Sequence, residues 1–175
     1  MKRRQLEHLL RASGDILGET QFIVIGSQSI LGKFPEPPEE LLWSMEADLI
    51  AKNKPEKTDT LNVIGELSEF HDSYGYYVDP VSETTAILPK GWKGRLVNLP
   101  PGDTEGVRGL CLEPHDLVIA KYVAAREKDL IFTGELARRG IVSEERLLSL
   151  LEQTPVAEEV RERVRGHIAR DFHAE

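Results

Sequence analysis

The chain has almost no sulfur and few aromatic side chains. Its 175 residues include one cysteine, Cys111, two methionines and two tryptophans, and aromatic residues make up 6% of the sequence. A single cysteine excludes a disulfide within this sequence, so the expected compartment is the reducing cytoplasm. Within the tripeptide Leu-Cys-Leu, Cys111 is predicted to be a small buried apolar residue.

Long apolar runs and an excess of positive charge are also missing. No run reaches the roughly eighteen apolar residues that a membrane span needs, and no membrane partner is expected. Lys2, Arg3 and Arg4 are not followed by the apolar region of a secretory signal. The 22 Lys and Arg residues face 30 Asp and Glu residues, which gives a net charge of −8. This negative net charge disfavours a protein that binds nucleic acid over its whole surface, although it is compatible with one local basic patch.

Residues 1–112 are predicted to alternate helices with short strands. The predicted helices are 3–17 and 58–69, and the predicted strands are 21–25, 45–50, 75–78 and 107–112. Strand 21–25 is apolar on both faces, which predicts a central position in a covered sheet. In strand 45–50, alternation places Met45, Ala47 and Leu49 on one face and the carboxylates on the other.

From Pro114 onward the pattern is helical. Pro114 suits the first position of a helix, and Asp116 in its first turn is predicted to be a helix-start residue. Ser143 is a predicted N-cap, and the last segment carries apolar residues four apart. The predicted fold class is α+β, with a small mixed sheet flanked by helices in residues 1–112 and a helical portion in 113–175. The oligomeric state is left open.

Three features of the first portion combine into a candidate phosphate and metal site. Strand 21–25 ends in Gly26-Ser27, where glycine lets the backbone approach a phosphate and serine adds a hydroxyl donor. Glu46 and Asp48 share one strand face, with Cα atoms about 6.6 Å apart. Such a pair of carboxylates can close on one divalent cation, and oxygen ligands select Mg²⁺ or Mn²⁺. Asp79 follows a later strand and is a third candidate ligand.

A second group of candidates lies after Pro114. Lys121 stands in an otherwise apolar stretch, so its charge needs either a nucleotide phosphate or a core carboxylate. Lys121 and Lys128 are seven residues apart, which on one continuous helix places them about 20° from each other. Asp129 has two interpretations, an exposed helix charge or a group that orients a lysine or the acceptor.

The order of these motifs resembles the nucleotidyltransferase superfamily typified by DNA polymerase β. The resemblance rests on Gly26-Ser27, on Glu46-Ala47-Asp48, and on a helix pattern that runs from Asp116-Leu117 through Lys121 to Lys128-Asp129. It spans roughly residues 20–80 and 113–132. The chain also resembles the small bacterial nucleotidyltransferase-like proteins, which include the AbiEii-type toxins of toxin–antitoxin systems. The first paired carboxylate is Glu46 here, whereas many members carry Asp.

The resemblance implies a mechanism. Glu46 and Asp48 would hold the Mg²⁺ that carries a nucleoside triphosphate, and Asp79 would complete the site for a second Mg²⁺, with Asp72 as the alternative third carboxylate. An acceptor hydroxyl would attack the α-phosphate and release pyrophosphate. Gly26, Ser27, Lys121, Lys128 and Asp129 would bind the nucleotide. The acceptor is expected to be RNA such as a tRNA end, a protein side chain or a small molecule.

A different class of function fits the same residues. The fold could serve as a catalytically weak binding or regulatory module, for instance one half of a toxin–antitoxin-like pair. The third carboxylate separates the two hypotheses. Catalysis is favoured if Asp79 faces Glu46 and Asp48, and binding is favoured if it points away.

Overall fold

The computed structural model describes residues 1–173. The α-helices are α1 (Arg3–Leu17), α2 (Glu69–Tyr74), α3 (Pro114–Ala124), α4 (Glu127–Arg138), α5 (Glu144–Glu152) and α6 (Glu158–His173). The strands are β1 (Gln21–Val24), β2 (Glu46–Ala51), β3 (Tyr77–Pro80), β4 (Val97–Asn98) and β5 (Arg108–Cys111). Short 3-10 helices span Ser27–Gly32, Glu39–Leu41, Pro55–Ile64, Glu83–Thr85 and Trp92–Arg95. The α+β prediction, with a mixed sheet and a helical C-terminal portion, is confirmed.

The chain divides into two compact units. The first contains residues 1–85 and 96–112, and the second contains residues 86–95 and 113–175. This grouping differs from the division inferred from the sequence only in residues 86–95. Within residues 1–173, no helix combines the length and the apolar character needed to cross a membrane.

The first unit is built on a five-stranded sheet with the order β3-β2-β1-β5-β4. β1 is antiparallel to β2 and parallel to β5, whereas β2 is parallel to β3. Phe22 and Val24 of β1 are fully buried and Ile23 is nearly so. The predicted central position of this strand is therefore confirmed, because both of its faces are covered.

The predicted first helix is also confirmed. α1 buries Leu6, Leu9 and Leu10 completely and ends at Gly18, whose φ of 56° lies in the left-handed region that favours glycine. Cys111 of β5 is fully buried, and burial raises the pKa of its thiol to about 12. The thiol is therefore a packing group, as predicted.

The predicted helix over residues 58–69 is wrong. A 3-10 helix covers Pro55–Ile64, and α2 begins only at Glu69. The buried residues of this segment are Thr58, Leu61 and Ile64, which repeat every three residues. That spacing matches the three residues per turn of a 3-10 helix. Leu67, three residues after Ile64, is 84% exposed and does not continue this buried face.

Two predicted strands are displaced along the chain. β2 begins at Glu46, so Met45 precedes it and is 53% exposed, whereas Ala47 and Leu49 are buried as predicted. β3 spans Tyr77–Pro80 rather than residues 75–78. Asp79 therefore lies inside the strand, where its neighbour on β2 determines its surroundings.

The second unit contains ion pairs in which one partner is fully buried. Arg95 Nε and Nη2 donate to the two oxygens of Asp116 at 2.9 and 2.7 Å, which holds the Trp92–Arg95 turn against the start of α3. Asp116 lies in the first turn of α3, as predicted, and is fully buried. The Tyr122 hydroxyl donates to Asp171 Oδ2 at 2.9 Å and joins α3 to α6.

The lysine segment is not one continuous helix. Ala125 ends α3 with a φ of 53°, and α4 starts again at Glu127. Lys121 and Lys128 consequently belong to different helices, and the prediction that they share one helix face is wrong. The sequence does not indicate this helix end, because the residue that ends a helix in the left-handed conformation is usually glycine or asparagine rather than alanine.

The start of α3 is held by a carboxylate. Glu113 accepts a hydrogen bond from the His115 backbone N–H at 2.9 Å, and its side chain also lies 3.0 Å from His115 Nδ1. His115 Nε2 in turn accepts the Ser143 N–H at 3.0 Å, which connects α3 to the start of α5. Burial raises the pKa of Glu113, but the hydrogen bonds that it accepts from His115, with the charge of Arg146 adding to them, lower it to about 2.

This network predicts how stability depends on pH. The folded-state pKa of Glu113 is depressed, so its contribution is present above the ordinary value of 4.5 and is lost as the pH falls toward about 2. The E113Q variant should be less stable at pH 7 by about 1–2 kcal/mol. It should also lose less stability than the wild type between about pH 5 and pH 2. Thermal unfolding over this range measures both effects. The exposed Glu145→Gln control should follow the wild type, and an E113Q curve that does so too would contradict the assignment.

Candidate nucleotide and metal site

The parallel pairing of β2 with β3 brings the predicted carboxylates together. In this register Glu46 lies opposite Tyr77, and Asp48 lies opposite Asp79. Directly opposed residues point to the same side of a sheet, as do alternate residues of one strand. Glu46, Asp48, Tyr77 and Asp79 therefore share one face, called the carboxylate face below. The carboxyl groups of Asp48 and Asp79 are within hydrogen-bonding distance of each other.

The electrostatic surroundings of this face are negative. Burial, followed by the charges of Glu46 and Glu66, raises the pKa of Asp79, and the hydrogen bond with Asp48 only partly offsets this. Burial also raises the pKa of Tyr77, and four neighbouring carboxylates raise it further: Glu46, Glu66, Asp79 and Asp48. Such surroundings disfavour additional negative charge and favour a cation.

The Gly26-Ser27 turn lies against the same face. The Ile25 N–H donates to the Asp48 carbonyl at 3.2 Å, and Gly26 precedes the 3-10 helix that Ser27 begins. A Cβ atom at position 26 would lie 2.6 Å from Asp48 Cγ and would overlap its Oδ2. A side chain at position 26 would therefore have to displace the Asp48 carboxylate. The structure brings Gly26, Ser27, Glu46, Asp48 and Asp79 into one region of the first unit.

The side chain after Ser27 connects this turn to β2. Gln28 is fully buried, and its Nε2 donates to the Ser44 carbonyl at 3.1 Å, two residues before β2 begins. Neither Gln28 Oε1 nor the buried Ser29 hydroxyl has a hydrogen-bond partner among residues 1–173. The sequence carried no signal for this contact, which depends on the path of the chain between the two strands.

The alternative third carboxylate lies elsewhere. Asp72 is an exposed residue of α2, whereas Asp79 lies on β3 opposite Asp48. Among the described residues, no group of three or more His, Cys, Asp or Glu side chains is arranged so that it could hold a metal ion. The metal role of Glu46, Asp48 and Asp79 therefore stays a prediction, for which Asp79 is the better placed third ligand.

Two residues of this region were not identified from the sequence. Glu66 is an exposed residue after the Pro55–Ile64 helix, and its charge acts on Asp79 and Tyr77. The Tyr77 ring stands beside the His71 ring, with centroids 4.5 Å apart. The tyrosine could have been found by extending the alternation of β3 back from Asp79. Glu66 could not, because its position depends on a loop.

Within the second unit, the predicted lysine has a carboxylate partner. Lys121 is 8% exposed, and its Nζ donates to Asp129 Oδ1 at 2.9 Å. Asp129 is fully buried and also accepts from Arg126 Nε at 2.6 Å, so its interpretation as an exposed helix charge is wrong. Burial raises the pKa of Asp129, but Arg126 and Lys121 outweigh this and lower it. Lys128 is exposed, and the nucleotide-binding roles of these residues stay predictions.

Comparison with known families identifies the chain. Residues 4–171 match the family described as nucleotidyltransferase of unknown function (DUF6036). Because the match covers nearly the whole sequence, the chain belongs to this family. Neither the curated proteins nor the solved structures contain a match. The family supports the nucleotidyltransferase resemblance, and the narrower likeness to AbiEii-type toxins is not confirmed.

The contact between Gly26 and Asp48 predicts the effect of a single methyl group. Gly26→Ala should displace the Asp48 carboxylate and destabilise the protein by about 1–3 kcal/mol. Thermal unfolding measures this cost. Gly94→Ala is the control, because no described atom would lie within 4 Å of its added Cβ. Equal unfolding temperatures for G26A and G94A would show that Asp48 does not constrain the turn.

The buried pair predicts a large loss of stability for Asp129→Asn. Removing the charge leaves Lys121 without its buried anion, which costs about 3 kcal/mol or more. Chemical denaturation of D129N and of the exposed control Glu127→Gln compares the two positions on α4. A D129N variant as stable as E127Q would contradict this assignment.

Proposed function

We propose that the protein is a Mg²⁺-dependent nucleotidyltransferase that moves a nucleoside monophosphate from a nucleoside triphosphate to an acceptor hydroxyl. The observation that carries this proposal is the placement of Asp48 opposite Asp79 with Gly26 packed against Asp48. Paired carboxylates beside a Gly-Ser turn combine a cation site with a phosphate site. Membership in a nucleotidyltransferase family supports this type of reaction.

The carboxylate face fits a divalent cation. Its donors are carboxylate oxygens, which Mg²⁺ and Mn²⁺ prefer. Burial, followed by the charges of Glu46 and Glu66, raises the pKa of Asp79, and a bound divalent cation would favour its ionised form. Glu46, Asp48 and Asp79 would hold Mg²⁺, which when bound supplies charge neutralisation at the triphosphate.

The chain's own residues would position the reactants. Backbone N–H groups after Gly26 and the Ser27 hydroxyl would bind phosphate oxygens. The acceptor oxygen would form a bond to the α-phosphorus, the bond from that phosphorus to the oxygen bridging to the β-phosphate would break, and pyrophosphate would leave. The hydroxyl proton would pass to solvent.

A second candidate function belongs to a different class. The described residues contain no group of three ligands already arranged for a metal. This observation favours a binding or regulatory module that retains the fold without efficient catalysis. One half of a toxin–antitoxin-like pair is an example of such a module. The two candidates differ in whether a nucleotide binds in a Mg²⁺-dependent manner at Asp48.

Thermal-shift titrations with ATP, GTP, CTP and UTP, each with and without Mg²⁺, test the proposed function. Nucleotide at 100 times its dissociation constant should stabilise the wild type by about 2.7 kcal/mol. Asp48→Asn and Asp79→Asn should each remove the Mg²⁺-dependent part of the shift, because each removes one anionic ligand. Asp72→Asn, an exposed carboxylate of α2, is the matched control and should retain it.

Each outcome separates the two candidates. A Mg²⁺-dependent shift lost in D48N and D79N but kept in D72N supports nucleotidyl transfer and identifies the base. A wild type that no nucleotide stabilises contradicts the transfer reaction and favours the binding module. A Mg²⁺-dependent shift that is lost in D72N but kept in D79N would replace Asp79 by Asp72 as the third carboxylate.

A further inference from the structure

Leu67 combines two properties that leucine rarely combines. Its φ of 61° lies in the left-handed region, and its side chain is 84% exposed. The conformation is strained for any residue with a Cβ, and burial of the apolar side chain does not offset the strain. Residues kept in such conformations cluster at ligand-binding sites, so Leu67 is a candidate ligand contact.

The segment around Leu67 is held in place by hydrogen bonds. The Leu67 N–H donates to His71 Nδ1 at 3.1 Å. The Ser68 hydroxyl donates to the Gly65 carbonyl at 2.7 Å and accepts the His71 N–H at 3.1 Å. A Cβ at Gly65 would lie 3.1 Å from the Asn62 carbonyl oxygen, so this turn is tightly packed. The strained conformation is therefore imposed by the turn.

This segment borders the carboxylate face. The His71 ring, which accepts the Leu67 N–H, lies beside Tyr77 with centroids 4.5 Å apart, and Tyr77 stands opposite Glu46. β3 is an edge strand, and β2 separates it from β1, which leads into Gly26. The phosphate-binding turn and the Leu67 segment thus lie on opposite sides of β2. If a nucleotide binds at the Gly26-Ser27 turn, the side of β2 that faces β3 remains open to the acceptor.

The same border carries a carboxylate without a cationic partner. Glu66 is exposed and makes no ion pair or hydrogen bond with any residue in the described range 1–173, although its charge acts on Tyr77 and Asp79. The first unit has nine Lys and Arg against seventeen Asp and Glu, a net charge of −8, whereas the second unit has thirteen of each. The whole net charge of the protein thus resides in the unit that bears the candidate site.

We propose that the acceptor is a cationic small molecule that carries a hydroxyl group and an apolar ring, and that Glu66, Leu67 and Tyr77 receive it at the β3 edge. Glu66 would pair with its positive charge, and Leu67 and the Tyr77 ring would pack on its apolar surface. The proposal rests on the proposed function, because it assigns the acceptor of that reaction. An RNA acceptor is disfavoured, since the negative unit repels a polyanion.

Three phenols that differ in charge test this assignment without any nucleotide. Tyramine is cationic, 4-ethylphenol is neutral and 4-hydroxyphenylacetate is anionic, and all three carry the same ring and hydroxyl. Their affinities for the free protein can be measured by ligand-observed NMR titration, together with that of total tRNA. Tyramine should bind about two- to fivefold more tightly than 4-ethylphenol, and 4-hydroxyphenylacetate should bind most weakly.

Matched variants assign the contacts. Glu66→Gln should remove the preference for tyramine over 4-ethylphenol, while Glu69→Gln, an exposed carboxylate three residues later, should keep it. Leu67→Ala and Leu67→Gly should weaken the binding of all three phenols. Val63→Ala, which truncates a side chain that is 62% exposed, should leave their binding unchanged. L67G alone should also raise the unfolding temperature, because only glycine relieves the strain at φ 61°.

Several results would overturn the proposal. The first is binding of 4-hydroxyphenylacetate that is as tight as that of tyramine or tighter. The second is tighter binding of tRNA than of tyramine. The third is an E66Q variant with the ligand preference of E69Q, or an L67A variant with the affinities of V63A. The result is separable from the nucleotide titration, because no nucleotide is present. If the nucleotide titration fails while tyramine binding depends on Glu66, the cation-binding site stands and its role as an acceptor site falls.

Discussion

The pairing of β2 with a neighbour on each side is the constraint on which the candidate site depends. Ala47 and Leu49 are fully buried, and they determine which face of β2 points outward. A slip of one residue would turn Glu46 and Asp48 into the core, which is costly because they are charged. The Ile25 N–H bonds the Asp48 carbonyl on one side and the Val81 N–H bonds the Leu49 carbonyl on the other, at 3.2 and 3.1 Å. The burial of Ala47 and Leu49 thus determines which way the Glu46 and Asp48 carboxylates point.

The carboxylate face of the first unit and the buried carboxylates of the second unit differ in their charged neighbours. In the second unit a buried carboxylate such as Asp129 has cationic partners, and the formal charges of the unit cancel. In the first unit Asp48 and Asp79 are neighbours, and burial together with the charges of Glu46 and Glu66 raises the pKa of Asp79. The paired arrangement stabilises a fold, whereas gathered like charges cost stability unless a cation joins them. This contrast is the physical reason for placing ligand binding in the first unit.

Errors in the sequence-based prediction fall where the backbone departs from the usual periods. Thr58, Leu61 and Ile64 fit an α-helical pattern as well as a 3-10 pattern, because a spacing of three is common to both over a short segment. Ala125 breaks a helix in a left-handed conformation that its side chain does not favour. Leu67, which lies in a loop, also adopts a left-handed backbone conformation. At Leu67 the hydrogen bonds of the turn override the conformational preference of the residue.

The sequence by itself determined α1, the central position of β1, the Gly26-Ser27 turn after it and the face of β2 that bears Glu46 and Asp48. These follow from local periodicity and from the conformational freedom of glycine, which need no knowledge of the rest of the chain. Only the tertiary structure decided that Asp79 lies opposite Asp48, that Glu66 approaches the same face and that Lys121 pairs with Asp129. Strand register and loop path depend on contacts between residues far apart in sequence, and local patterns carry no information about them.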